Sequence, residues 1–159
     1  MNKKLIVYFS YTGNTKKIAN LIKDKLNCDI LELIPKVPYS NDNQAVVDEE
    51  QSKEGENHLR DYIDININLD EYDTIIIGTP VWWYRECPVI RTFLTQNDLS
   101  NKKVIPYATN AGWLGKTFIE IKKMCSNSKV INEKNIVFKS YSDELVTSVK
   151  EIEEWIKTI

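Results

Sequence analysis

The chain has 159 residues, 42% hydrophobic and 28% charged, with a formal net charge of −2 at pH 7. That length suits one domain over residues 1–159 with a core that needs no covalent staples, and the charge excludes a strong field for nucleic acid or an anionic membrane surface. Cys28, Cys87 and Cys125 are odd in number and widely spaced, which excludes a disulfide framework or a zinc pattern and leads to the expectation of a reducing cytoplasm; no apolar run approaches membrane length.

Residues 5–9, Leu-Ile-Val-Tyr-Phe, read as a strand buried on both faces. The run stops at Ser10, and Tyr11, Thr12, Gly13, Asn14 and Thr15 lead into a helix whose Ile18, Leu21, Ile22 and Leu26 recur at helical spacing. Strand, short polar turn and helix make the arrangement that holds a phosphate on the first N–H groups of the helix. No lysine or arginine lies between Ser10 and Thr15, and neither GxxxxGK[ST] nor GxGxxG is present. The donors are therefore neutral, and the loop suits a single terminal phosphate. An ordinary helix cap by Thr12 or Asn14 accounts for the same residues equally well.

A second strand is predicted over 29–34, ended by Pro35 and Pro38. The polar, acidic stretch that follows predicts a helix over about 45–57, weakened near Gly55. Its glutamates read as a solvated face, and His58 as a surface histidine. Ile63, Ile65, Ile67 and Leu69 alternate with polar residues, a pattern that fits a short edge segment or an extended linker. Residues 74–78 form the third strand and 79–86 a loop. Pro88 opens a helix to about residue 95. Cys87 stands just before that helix, where a thiol pKa can be lowered, but a passive small residue is the simpler reading. The fourth strand spans 103–108. A helix over about 115–125 follows, then a fifth strand within 129–138 interrupted at 132–134. Ser142 is read as the cap of a last helix with the stripe Leu145, Val149, Ile152 and Ile156.

Alternating strands and helices with apolar strands predict an α/β fold, a doubly wound parallel sheet with helices on both faces and right-handed crossovers. Ligands in such sheets bind beyond the strands' carboxyl ends, where the strand order reverses. Three loops leave those ends: residues 10–15; residues 79–86, with Pro80, Val81, Trp82, Trp83 and Tyr84; and residues 109–113, with Thr109, Asn110, Ala111, Gly112 and Trp113. A phosphate loop flanked by aromatic walls describes a site for a flat ring joined to a phosphate.

On these three segments, with the Ser10–Thr15 loop and the Gly78-Thr79-Pro80-Val81-Trp82-Trp83 stretch specific only together, the sequence resembles the flavodoxin family, in a compact branch with a GxPxWW segment after the third strand. The resemblance implies a five-stranded parallel sheet of order 2-1-3-4-5 in a three-layer sandwich, with FMN as cofactor. It implies that residues 10–15 hold the FMN phosphate, Pro80 to Trp83 flank the isoalloxazine, and Thr109 to Trp113 approach its pyrimidine end through backbone N–H groups. Two functions follow from it. One is an electron carrier serving a redox partner protein; the other is an FMN-dependent NAD(P)H or quinone reductase with a small-molecule electron donor or acceptor. A module without flavin is the third reading. Tyr84 stands where related chains often have glycine, and Arg85 is the one cation in either aromatic loop; it is expected to point to the flavin edge, or else to solvent or Glu86.

Overall fold

Leu5, Ile6 and Val7 have no exposed surface, and neither have Ile75, Ile76 and Ile77. Consecutive strand residues point to opposite faces, so both faces of the sheet are covered. The computed structural model describes residues 2–53 and 56–159. Its elements are β1 (Lys4–Tyr8), α1 (Asn14–Leu26), β2 (Asp29–Glu32), α2 (Asn43–Gln51), β3 (Thr74–Trp82), β4 (Arg85–Glu86), α3 (Pro88–Gln96), β5 (Lys103–Asn110), α4 (Thr117–Met124), β6 (Lys129–Val130), β7 (Lys134–Val137) and α5 (Val149–Ile156). One core packs Leu5, Val7, Ile75, Ile77 and Val104 with Phe93 of α3 and Ile121 of α4. The other packs Ile6, Tyr8, Ile76, Ile105 and Tyr107 with Ile18 and Ile22 of α1 and Ile152 and Ile156 of α5.

The parallel ladder runs β2-β1-β3-β5-β6, and β7 takes the place beside the upper half of β5. Counting β6 and β7 as one interrupted strand gives the expected order 2-1-3-4-5. The interruption has a local cause. Asn132 takes a left-handed φ of 59°, and its carbonyl accepts a 2.8 Å hydrogen bond from the Trp155 indole N–H. Strand order reverses between β1 and β3, which places the loops after these two strands on either side of a crevice.

Several boundaries differ from the sequence reading. The stretch 79–86 is not a loop: β3 runs on to Trp82 and pairs with β4 in an antiparallel hairpin, Trp82 opposite Arg85. The acidic helix spans Asn43–Gln51, shorter than expected; Glu54 and Gly55 lie outside the described residues. Within it Glu50 is 3% exposed, so the acidic stretch is not wholly solvated. His58 is not a free surface side chain, because its Nε2 lies 2.7 Å from the Glu50 carboxylate. Residues 63–68 form no strand, yet Ile65 and Ile67 pack on the core as their alternation demands. Ser142 does not cap the last helix. That role belongs to Ser148, whose Oγ accepts from the Glu151 amide, and residues 139–147 instead fold back toward the crevice.

Candidate functional site

The first wall of the crevice is the turn between β1 and α1. Gly13 occupies the helix N-cap position with φ 103°, a value that an L side chain rarely adopts. A Cβ there would meet nothing within 4 Å, so the space above it is open. Ser10 Oγ accepts hydrogen bonds from the amides of Gly13 (3.1 Å) and Lys16 (3.2 Å). The hydroxyl proton of Ser10 is thereby left to donate outward. The first intrahelical bond comes from Lys17 to the Gly13 carbonyl, and the amides of Asn14 and Thr15 have no partner among the described residues. Unpaired amides at a helix N-terminus carry partial positive charge.

Two of the sequence-predicted donors are committed elsewhere. Thr15 is buried, and its Oγ1 lies 2.7 Å from Thr109 Oγ1. Its carbonyl accepts from the Tyr107 hydroxyl at 2.9 Å. The Asn14 side-chain amide donates to the Ser142 carbonyl at 2.9 Å, across 128 residues. Thr15 and Asn14 thus tie the loop to β5 and to the 139–147 segment. No sequence signal marks Ser142 as a neighbour of this loop, since the contact is made through its backbone.

The second wall is aromatic. Trp82 packs edge-on against Phe9, Tyr11 and Tyr39, with ring centroids 5.9, 6.0 and 5.0 Å away. Trp82 therefore faces the core, and Trp83 and Tyr84 form the tip of the hairpin. No signal in the sequence brings Phe9 and Tyr39 to this wall. Both tip residues are left-handed, with φ 49° at Trp83 and 64° at Tyr84. A two-residue hairpin turn with two positive φ values favours Asn-Gly. Bulky residues there cost on the order of 1–3 kcal/mol each, so surrounding contacts must impose the shape. Those contacts come from the segment after β5. The Tyr84 carbonyl accepts from the Lys116 amide at 2.7 Å, and the Tyr84 and Trp113 rings meet edge-to-face at 6.5 Å. Tyr84 and Trp113 remain 52% and 64% exposed, leaving aromatic surface at the crevice mouth.

In the third segment the amides of Gly112 and Trp113 both donate to Asn110 Oδ1, at 2.9 and 3.0 Å. They close an Asx-type turn and are not free for a ligand in this arrangement. Arg85 turns away from the tip. Its guanidinium binds the Glu86 carboxylate at 2.6 Å and donates to Asn57 Oδ1 at 2.8 Å. Glu86 is fully buried and also pairs with Arg91 Nε at 3.0 Å. Cys87 is buried behind the hairpin, and that burial pushes its thiol pKa up to about 12. It is an inert core residue, not an activated nucleophile.

A helix N-terminus with free amides and an aromatic hairpin lie on the two sides of a strand-order reversal in a doubly wound α/β protein. A sequence model described as Flavodoxin matches residues 3–159, and the chain belongs to the flavodoxin family. Solved structures share its fold along nearly the whole length. A Bacteroides eggerthii protein described as a flavoprotein is 24% identical, with TM-score 0.80 over 100% of this chain and 98% of that one. Another so described, from Bacteroides uniformis, is 26% identical, with TM-score 0.75 over 98% of each chain. A flavoprotein from Lactobacillus acidophilus, solved in complex with FMN, is 23% identical, with TM-score 0.73 over 98% of this chain and 99% of that one. No curated protein matches the sequence. Among the described residues, no helix is long and apolar enough to cross a membrane.

Proposed function

We propose that this chain binds FMN and works as an electron-transfer flavoprotein. The observation that carries the reading is the pair of partnerless amides at Asn14 and Thr15, set beneath open space at Gly13. They fit a phosphate monoester, whose dianion needs several neutral donors and no nearby carboxylate. The Ser10 and Thr12 hydroxyls complete the donor set. On the other side of the crevice Trp83 and Tyr84, backed by Trp113, offer flat apolar surface to the ring. The FMN complex of the Lactobacillus acidophilus relative supports the same ligand.

Bound FMN supplies reversible uptake of electrons and protons. The chain's residues would supply position: the 10–15 loop would hold the phosphate and the hairpin tip would flank the ring, with Trp82 and Tyr39 packed behind it. None of the polar side chains described at the site is set up as a nucleophile or a metal ligand. Cys87 is buried with a raised pKa, and His58 is engaged with Glu50. Membership of the flavodoxin family supports a carrier that passes electrons to a redox partner protein. The exposed Tyr84–Trp113 pair favours a second reading, a reductase whose flat small-molecule acceptor lies on those rings. Two measurements decide. Apoprotein titrated with FMN, FAD and riboflavin should prefer FMN; riboflavin binding as tightly would sink the phosphate assignment. Rapid bleaching of the flavin by NADH or NADPH alone would then favour the reductase over the carrier.

A further inference from the structure

Gly115 has φ 55°, and a Cβ on it would lie 2.4 Å from both Cβ and the carbonyl oxygen of Tyr84 and 2.7 Å from its Cα. No side chain fits in that gap without displacing backbone. The next amide, that of Lys116, donates to the same Tyr84 carbonyl at 2.7 Å. Gly115 and Lys116 thus make a seat into which the left-handed Trp83–Tyr84 turn is pressed. We propose that Gly115 is a positioning residue for the flavin ring: because it lacks a Cβ, the turn can hold the strained conformation that presents Trp83 and Tyr84 to the crevice. The proposal rests on the FMN reading and adds to it the element that fixes the ring-side wall.

The physical case turns on what the hairpin would otherwise do. Two bulky residues in a two-residue turn do not select positive φ at both positions on their own. Hairpin closure alone is served better by Asn-Gly, which would relieve the strain. Keeping two aromatic rings there is useful only if the rings are needed at the site and something else holds the backbone. Arg85 and Glu86 anchor the base of the hairpin through Arg91, but they do not touch its tip. The seat at residues 115–116 does, through one hydrogen bond and one close backbone approach, and the Trp113 ring closes the side.

The test uses Gly115→Ala, Tyr84→Gly and the double variant, each titrated with FMN and riboflavin. Thermal unfolding and near-ultraviolet circular dichroism of the ligand-free proteins complete it. Gly115→Ala should weaken FMN and riboflavin by the same factor, about tenfold or more, because the seat serves the ring and not the phosphate. It should also lower Tm and reduce the near-ultraviolet signal of the packed aromatics. Tyr84→Gly should raise Tm by roughly 2–4 °C through relief of strain. In the double variant the glycine at 84 lets the turn shift away, so Tm should recover while flavin affinity does not. Wild-type affinity in Gly115→Ala, or affinity that returns in step with Tm in the double variant, would overturn the proposal. Should the wild type take up neither flavin, the FMN reading fails. The seat then stands or falls on the near-ultraviolet signal and Tm of ligand-free Gly115→Ala.

Discussion

The two walls of the crevice are built on opposite principles. On the side proposed for the phosphate the backbone of the turn suits its own residues: Gly13 supplies the positive φ, Ser10 holds two amides and the start of a 13-residue helix supplies the free ones, while Asn14 and Thr15 tie the finished turn to Ser142 and Thr109. The ring side takes its shape from elsewhere. Trp83 and Tyr84 sit in a turn their side chains disfavour, held by residues more than 30 positions away and by a buried Glu86 between two arginines. A turn whose residues favour its backbone keeps its shape when a distant tie is cut, whereas a turn its residues disfavour loses its shape when a distant prop is removed.

The largest expected effect is therefore on the ring side. Arg91 is 4% exposed and satisfies Glu86 Oε1, the Glu86 carbonyl and the His58 carbonyl. Arg91→Met would leave a buried carboxylate with Arg85 alone and two carbonyls unpaired. A loss on the order of 3 kcal/mol is expected, read as a lower urea midpoint, together with weaker binding of FMN and riboflavin alike. Preferential loss of FMN would mean that the props of the two walls are shared. Next comes the hydroxyl pair under the phosphate side. Thr15→Val strands the Thr109 hydroxyl at a cost of about 1–3 kcal/mol, whereas Thr15→Val with Thr109→Val removes both partners and should recover most of it. The ratio of FMN to riboflavin affinity should barely move in either variant. If Thr15→Val weakened FMN alone, the hydroxyl would be a phosphate ligand and not a tie to β5. Smaller still is Gly13→Ala, where φ 103° disfavours a Cβ by about 1 kcal/mol. FMN affinity should fall severalfold with riboflavin spared, the reverse of the selectivity expected at Gly115.

The same contrast explains what was legible in the sequence. The first strand and the turn after it follow from short-range signals, five apolar residues and then Ser10 to Thr15; the strand order comes only with the family resemblance, which rests on residues 10–15, 78–83 and 109–112 together. The hairpin was not legible, because Trp82 to Arg85 carries no Asn-Gly signal and reads as a loop. Its partners at Gly115 and Lys116 gain meaning only once β3 and β5 lie side by side. Asn110 shows the limit from the other direction. Its side chain takes up the Gly112 and Trp113 amides, so backbone donors expected to face the ring are spent within their own turn. Arg85 could be assigned to Glu86 or to the flavin edge from sequence, and only the burial of Glu86 decides for the ion pair. Ser142 misled because Asp143 and Glu144 imitate the first turn of a helix that begins seven residues later, at Val149.

The smallest effect at neutral pH concerns Cys87, and it reports on the ring side without a ligand. Its amide donates to Thr79 Oγ1 at 3.2 Å, and its side chain lies fully buried under the β3–β4 hairpin. Burial raises the thiol pKa from 9.0 to about 12, while the Thr79 hydroxyl and the Ile90 amide offset part of that rise. Raising the folded-state pKa of an acid means that the folded chain binds more protons than the unfolded one between about pH 9 and 12. Stability is therefore unaffected below pH 9 and falls as pH rises through that window, by on the order of 1 kcal/mol at pH 10. Cys125, raised to about 11 by burial, adds to the same alkaline loss. Cys87→Ala should flatten the alkaline slope and leave the neutral value lower only by the small cavity it makes. With iodoacetamide at pH 8, half-buried Cys28 should label first, and Cys87 only when the hairpin opens. Gly115→Ala should speed Cys87 labelling and Gly13→Ala should not. Equal acceleration in both variants would show that the two walls open as one unit, and the contrast between them would then be one of construction and not of stability.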